Sequence, residues 1–259
     1  MTTPSLSYWT AGRVGLVALA AMLAPAVAVE AQTEGDYLYR VTMLRAAPGH
    51  WTDLIDALRA GAEIHEEAGD AAPFGIRHSQ GDHWDFMLIY PMDSFERHYS
   101  PDRVGRRAAA WESGRGSALS ERVDSYTSFT EEWFATSVAV EEMSRRFEGM
   151  GLLHVEIFAG LPGKREELLE QRRMENRYYE HLNRQQNVLF VRAAGPNWDA
   201  MTIGFYANLQ AYAAAGVRYS GEEQDEAART AGFTGVAQIS PYLRSLLSYH
   251  NDTLGVPVG

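Results

Sequence analysis

The residues best suited to chemistry are few and sit close together in the pattern. His154 and Glu156 stand two apart in the run from Leu152 to Phe158, where β-favouring residues alternate, so both belong to one face of a strand. Arg40 holds a like place in the alternating run from Tyr37 to Arg45. Imidazole titrates near neutral pH and can shuttle a proton, so His154 is the candidate base, with Glu156 as a substrate-orienting or acid–base group. Arg40 would stabilise a developing enolate or phenolate. The same residues also read as a buried network, Arg40 with Glu156 or His154 with a backbone carbonyl, because an unpaired buried charge is costly. His154-x-Glu156 could offer two metal ligands, with His78 or His250 as a third, and His65, His78 or His154 could face a haem. No spacing matches a metal or haem-attachment motif, so neither metal nor cofactor is expected.

Aromatic and polar groups complete a candidate ligand-binding set of Trp84, Trp198, Tyr90, His78, Arg192, Tyr179 and His65. Trp84 and Trp198, each followed by Asp, are either structural or the walls for a planar ligand. His65 and Tyr179 face inward from long amphipathic helices. There Arg172 and Glu175 also fall near the inner face, marking a pocket between helix and sheet or a rim where alkyl stems pack and heads reach water.

The elements that position these groups occur twice. Shifting residues 37–99 forward by 114 positions brings identical residues into line, among them Pro48-Gly49 with Pro162-Gly163 and Gly81, Trp84 and Asp85 with Gly195, Trp198 and Asp199. In the first copy Tyr37 to Arg45 reads as a strand, Pro48-Gly49 as a turn and Trp51 to about Glu67 as a helix. Phe74 to Ser79 and His83 to Tyr90 form a hairpin, and Met92 to about Leu119 is helical, broken near Pro101 and Gly114. The second copy repeats this order. Its last strand is expected over Thr253 to Val258 after a short helix from Ser240-Pro241 to about His250. The closing strand of the first copy falls either on Ala135 to Val140 or within Asp124 to Phe134.

Strand–helix–strand–strand–helix–strand is the ferredoxin-like order. With Met43-Leu44-Arg45-Ala46-Ala47-Pro48-Gly49-His50 ahead of an amphipathic helix and an aromatic-rich hairpin, it resembles the dimeric α+β barrel superfamily, NIPSNAP-like and antibiotic-biosynthesis-monooxygenase-like groups in particular. The resemblance implies an α+β fold of two tandem ferredoxin-like repeats that close one intrachain pseudo-dimeric barrel. Residues 32–140 would be the first repeat, 141–150 a polar connection and 151–259 the second. In that barrel Tyr39, Val41 and Met43 are expected to pack under helices, as are Leu153, Val155 and Ile157. The face bearing Arg40, Thr42 and Leu44, with His154, Glu156 and Phe158, is expected to look into the barrel. The superfamily includes cofactor-free monooxygenases, haem enzymes, isomerases and modules without activity, so fold leaves function open.

Residues 1–31 have the layout of a signal peptide, with Arg13, an uncharged run from Val14 to Val29 and small residues before Gln32. The expected location is periplasmic or secreted, with no membrane contact after cleavage. A formal net charge of −11 argues against nucleic acid as a partner. The chain has no cysteine, hence no disulfides or thiolate chemistry. No phosphate loop, Gly-x-Ser-x-Gly elbow or dinucleotide fingerprint is present. The sequence therefore points to an exported small-molecule-binding protein, with a homo-oligomer allowed. The alternatives are a cofactor-independent monooxygenase or isomerase acting on an aromatic or polyketide-like substrate, and an oligomerisation module.

Overall fold

The structure, a computed structural model, describes residues 33–80 and 82–258. The segment read as a signal peptide, residues 1–31, lies outside the described residues. The first copy runs β1 (Tyr37–Ala46), α1 (Trp51–Glu67), β2 (Phe74–Gln80), β3 (Phe86–Asp93), α2 (Phe95–His98), α3 (Pro101–Trp111), α4 (Gly114–Tyr126) and β4 (Thr127–Ser137). Helix α5 (Val140–Phe147) then leads into β5 (Leu152–Gly160), α6 (Arg165–His181), β6 (Val188–Ala194), β7 (Ala200–Tyr206), α7 (Leu209–Ala214), α8 (Gly221–Thr230), α9 (Ile239–Leu246) and β8 (Leu247–Val258). Residues 141–147, expected as plain connection, are thus helical.

All eight strands join into one closed barrel in the order β1-β3-β2-β8-β5-β7-β6-β4, every pairing antiparallel. Each copy contributes a four-stranded sheet, and the seams are β2–β8 and β4–β6. Closure leaves no free sheet edge. The repeated Pro-Gly earns its place here: Gly49 and Gly163 have φ of 85° and 78°, a left-handed backbone that glycine adopts without steric cost. The repeated Trp-Asp is structural as well. Asp85 accepts a hydrogen bond from the Ala46 amide and Asp199 from the Gly160 amide, each at 2.8 Å, pinning the end of the first strand in both copies.

The expected assignment of strand faces is reversed. Tyr39, Val41 and Met43 fill the barrel together with Leu153, Val155, Ile157 and the three tryptophans Trp84, Trp133 and Trp198. An eight-stranded barrel is just wide enough to be filled by side chains, so its interior takes the uniformly apolar face of each strand. The mixed face lies outside, beneath the helices: Leu44 packs with Leu54 and Ile55 of α1, and Phe158 with Leu168 and Leu169 of α6. Strand β8 is also twice the expected length, beginning at Leu247. Residues 247–252 are strand because they pair with β5, an interaction with residues about a hundred positions earlier that no local pattern announces. The first copy's closing strand spans Thr127–Ser137, overlapping both expected alternatives.

Candidate functional site

Between the outer face of the first sheet and helices α1, α3 and α4 lies a cavity of about 650 Å³. Three neighbouring strands supply its polar floor. Arg40 of β1 is paired in register with Tyr90 of β3, and its guanidinium lies 4.3 Å from the centre of that ring. Glu132 of β4 stands opposite Thr42 in register, with Oε2 3.5 Å from Arg40 Nε and accepting a 3.4 Å hydrogen bond from the Thr42 hydroxyl. Arg40 Nε is buried yet makes no well-aligned hydrogen bond. The walls are largely apolar, including Leu58, Gly61, Ala62, Val104, Ala108 and Trp111.

His65 enters from α1, its ring 5.0 Å from Tyr90 and 5.4 Å from Trp111. Burial, reinforced by the Arg40 charge, pushes its pKa down to about 4, so the ring is neutral at pH 7. His98, at the far side, is pushed down to about 4 by burial and by Arg107. Burial pushes the Tyr90 phenol up to about 12 despite the nearby Arg40. Arg103 and Arg107 both reach Asp70, closing this end with a buried ion-pair cluster.

The corresponding strip of the second copy is filled. At the repeat offset, Leu58 becomes Arg172 and Gly61 becomes Glu175. Arg172 pairs with Glu175, donates from Nε to Gln171 Oε1 at 2.7 Å and lies 4.6 Å over the Phe158 ring. Tyr179 donates to Glu175 Oε1 at 2.6 Å. Glu156 Oε2 accepts from the Thr202 hydroxyl at 3.2 Å and lies 3.8 Å from Arg172 Nη1, while its Oε1 faces His250 Nε2 at 3.3 Å. Burial alone would raise the Glu156 pKa, but His250, Arg172 and His154 together hold it well below the usual carboxylate range. His154 Nε2 meets Asp252 Oδ1 at 2.6 Å. Burial opposes the charged imidazole, yet Asp252 and Glu156 outweigh it and raise the pKa.

The sequence-selected residues therefore divide into three groups. Arg40, Tyr90 and His65 meet in the first-copy cavity; His154, Glu156 and Tyr179 meet in the second-copy network. The two sets do not join: Arg40 pairs with Glu132 rather than Glu156, and His154 with a carboxylate rather than a backbone carbonyl. The other four line neither site. Trp84 and Trp198 belong to the barrel core, their indole N–H groups donating to Asp82 at 2.8 Å and Glu131 at 3.0 Å. The His78 ring packs 5.5 Å from Trp84, and Arg192 ties its own hairpin through Asp199 at 2.8 Å. Sequence reasoning missed Glu132, Trp111 and His98. One usable signal was the contrast between small residues at Gly61 and Ala62 and the bulky Glu175 and Asn176 at the same repeat positions.

No family model matches the sequence, nor does any curated protein. Solved structures do. A candidate monooxygenase from Lactobacillus acidophilus NCFM superposes over 87% of this chain and 95% of its own, with a TM-score of 0.52 at 9% identity. An anthrone oxidase-like protein covers 88% of this chain and 96% of its own, with a TM-score of 0.52 at 14% identity. The chain has the dimeric α+β barrel fold. A NIPSNAP family protein of unknown function from Agrobacterium tumefaciens covers 40% of this chain and 91% of its own, with a TM-score of 0.32 at 18% identity.

Proposed function

We propose that this is an exported small-molecule-binding protein whose ligand occupies the first-copy cavity. The observation that carries the reading is that hollow: about 650 Å³, apolar-walled, with Arg40 at its floor. Its volume falls in the range of drug-sized ligand sites. A few placed polar groups among mostly apolar side chains, here Arg40 with Glu132 and, at one end, Arg107 with Asp70, are the usual way such sites fix orientation. It suits a flat, mostly apolar molecule bearing an anionic or strongly accepting oxygen that meets Arg40. A purely oligomerising module has no need of such a space. Export rests on the layout of residues 1–31, and among the described residues no helix is long and apolar enough to cross a membrane.

A catalytic reading, cofactor-independent oxygenation or isomerisation of an aromatic substrate, draws on the placement of His65 beside Arg40 and on the names of two of the structural neighbours that span most of the chain. It moves the base from His154, which Asp252 engages, to His65. A pKa of about 4 makes His65 a weak general base at neutral pH, which favours binding over proton abstraction. The test is a panel of planar aromatic carboxylates and phenols, titrated against the protein by calorimetry with and without oxygen. Binding to the parent and its loss in Arg40→Ala support the reading. Saturable binding unaffected by Arg40→Ala would place the ligand elsewhere, and oxygen-dependent product formation would favour the enzyme.

A further inference from the structure

The second copy holds a cluster that the cavity reading leaves unused. His154, Glu156 and Asp252 each offer a donor atom, and these atoms all lie within 4.8 Å of one another. Glu156 and Asp252 are direct partners across β5 and β8, and His154 lies two residues before Glu156 on the same face. We propose that these three side chains bind one divalent transition-metal ion of the Zn²⁺ type on the outer face of the second copy.

Imidazole with carboxylate oxygens is a donor set that such ions accept. With metal–ligand bonds of about 2.0–2.1 Å, tetrahedral donors stand about 3.3 Å apart. The three donor atoms lie within 4.8 Å of one another. His154 Nε2 meets Asp252 Oδ1 at 2.6 Å while the ring's other nitrogen, Nδ1, stands 4.0 Å from Glu156 Oε2, so binding requires a rotamer adjustment that turns one nitrogen toward both carboxylates. Charge argues the same way. Glu156, Asp252 and Glu175 carry three negative charges against one from Arg172 and one from Arg244 at the border of the adjoining hollow, which leaves the site net negative when the imidazoles are neutral. Arg172 is occupied by Glu175, by Gln171 and by the face of Phe158, and its Nη1 stands 3.8 Å from Glu156 Oε2.

The surroundings fit a metal site. His250 stacks on Phe158 at 4.8 Å and presents a buried Nε2, without a well-aligned hydrogen bond, to the second oxygen of Glu156. Thr202 holds the first oxygen. Ligating carboxylates are commonly oriented by partners of this kind. A hollow of about 190 Å³, bordered by Glu156, His250 and Asp252, adjoins the cluster, and the Asp252 side chain is 56% exposed, giving an ion a route in. The first copy supplies an internal contrast. There Arg40, Thr42 and Glu132 stand where His154, Glu156 and Asp252 do, and the cation beside Glu132 is the covalently attached guanidinium.

The experiment is a Zn²⁺ titration of full-length, EDTA-dialysed protein by calorimetry and native mass spectrometry, with Co²⁺ as a spectroscopic probe. One tightly held Zn²⁺ per chain and a visible Co²⁺ ligand-field band are expected. His154→Ala and Asp252→Asn should abolish the band and weaken Zn²⁺ by more than the ~10–100-fold that losing an outer partner costs, while His250→Ala should fall within that range. His78→Ala, on β2 and outside the cluster, should bind as the parent does. Absence of stoichiometric Zn²⁺, or equal affinity in the parent, His154→Ala and Asp252→Asn, overturns the site. Circular dichroism in EDTA confirms that each variant is folded; should His154→Ala fail, the exposed Asp252→Asn decides the matter alone. Neither result bears on aromatic binding at Arg40, which lies in the other copy.

Discussion

The two copies present equivalent strips of sheet beneath equivalent helices, and they treat them in opposite ways. In the first, α1 offers Leu58 and Gly61, and a hollow of about 650 Å³ remains above Arg40. In the second, α6 offers Arg172 and Glu175, and their ion pair with the neighbouring Tyr179 and Glu156 occupies the same region. Two helix positions contribute to this difference, together with the unlike helices that cover each strip, α3 and α4 in the first copy and α9 in the second. A duplicated fold can therefore keep one site open and convert the other into a polar network without touching the barrel that both share.

The largest expected effect comes from giving the second copy the first copy's residue. Arg172→Leu removes the buried cation that faces Glu156 and Glu175, and should cost about 3–5 kcal/mol in urea denaturation. A loss below about 1 kcal/mol would mean the network is not the stabilising counterpart of the hollow. The converse exchange, Leu58→Arg with Gly61→Glu, should leave the protein folded. A Cβ at Gly61 meets only ordinary contacts, 3.7 Å from Trp111 and 4.0 Å from Leu119. Calorimetry with whichever aromatic acid binds the parent should then show at least a ~100-fold weaker complex, about 2.7 kcal/mol. Unchanged affinity would show that the hollow is not the ligand's place.

Acid sharpens the contrast less strongly. The folded-state pKa of His65 is about 4 against an ordinary 6.5, so the unfolded chain takes up the proton first. Its stabilising contribution is complete above pH 6.5 and is lost as pH falls toward 4, about 2 kcal/mol of it by pH 5. His98 slopes the same way, so the measurement is the difference in denaturation between parent and His65→Gln at pH 7 and pH 5. An identical pH slope in both proteins would refute a buried neutral His65. The smallest effect should be the one the copies share. Asp85→Ala leaves a strand-end amide without its acceptor and should cost about 1–3 kcal/mol by thermal melts, and Asp199→Ala, which also releases Arg192, should cost at least as much.

The repeat made much of the architecture legible, since Pro-Gly and Trp-Asp recur for backbone reasons that hold in both copies. The inside and outside of the barrel were not legible. Alternation along β1 and β5 reveals two faces, but when helices cover the outer one, both are buried and the period alone does not rank them. The candidate site was half readable. Arg40, Tyr90 and His65 stood out by type, whereas Glu132 and Asp252 reach their partners only through pairings β1–β4 and β5–β8. Strand β8 was hardest, because the residues up to about His250 read as the end of a helix, and only pairing with β5 makes residues 247–252 strand.

That same strand has a kinetic consequence. β8 joins β5 on one side and β2, some 180 residues upstream, on the other, so it is the clasp of one seam. Until it docks, β2 offers bare amides and carbonyls to any passing strand, and the span that must be looped to cover them is nearly the whole described chain. Slow refolding with concentration-dependent aggregation, both relieved once the final strand engages, is the behaviour such a late-closing ring imposes.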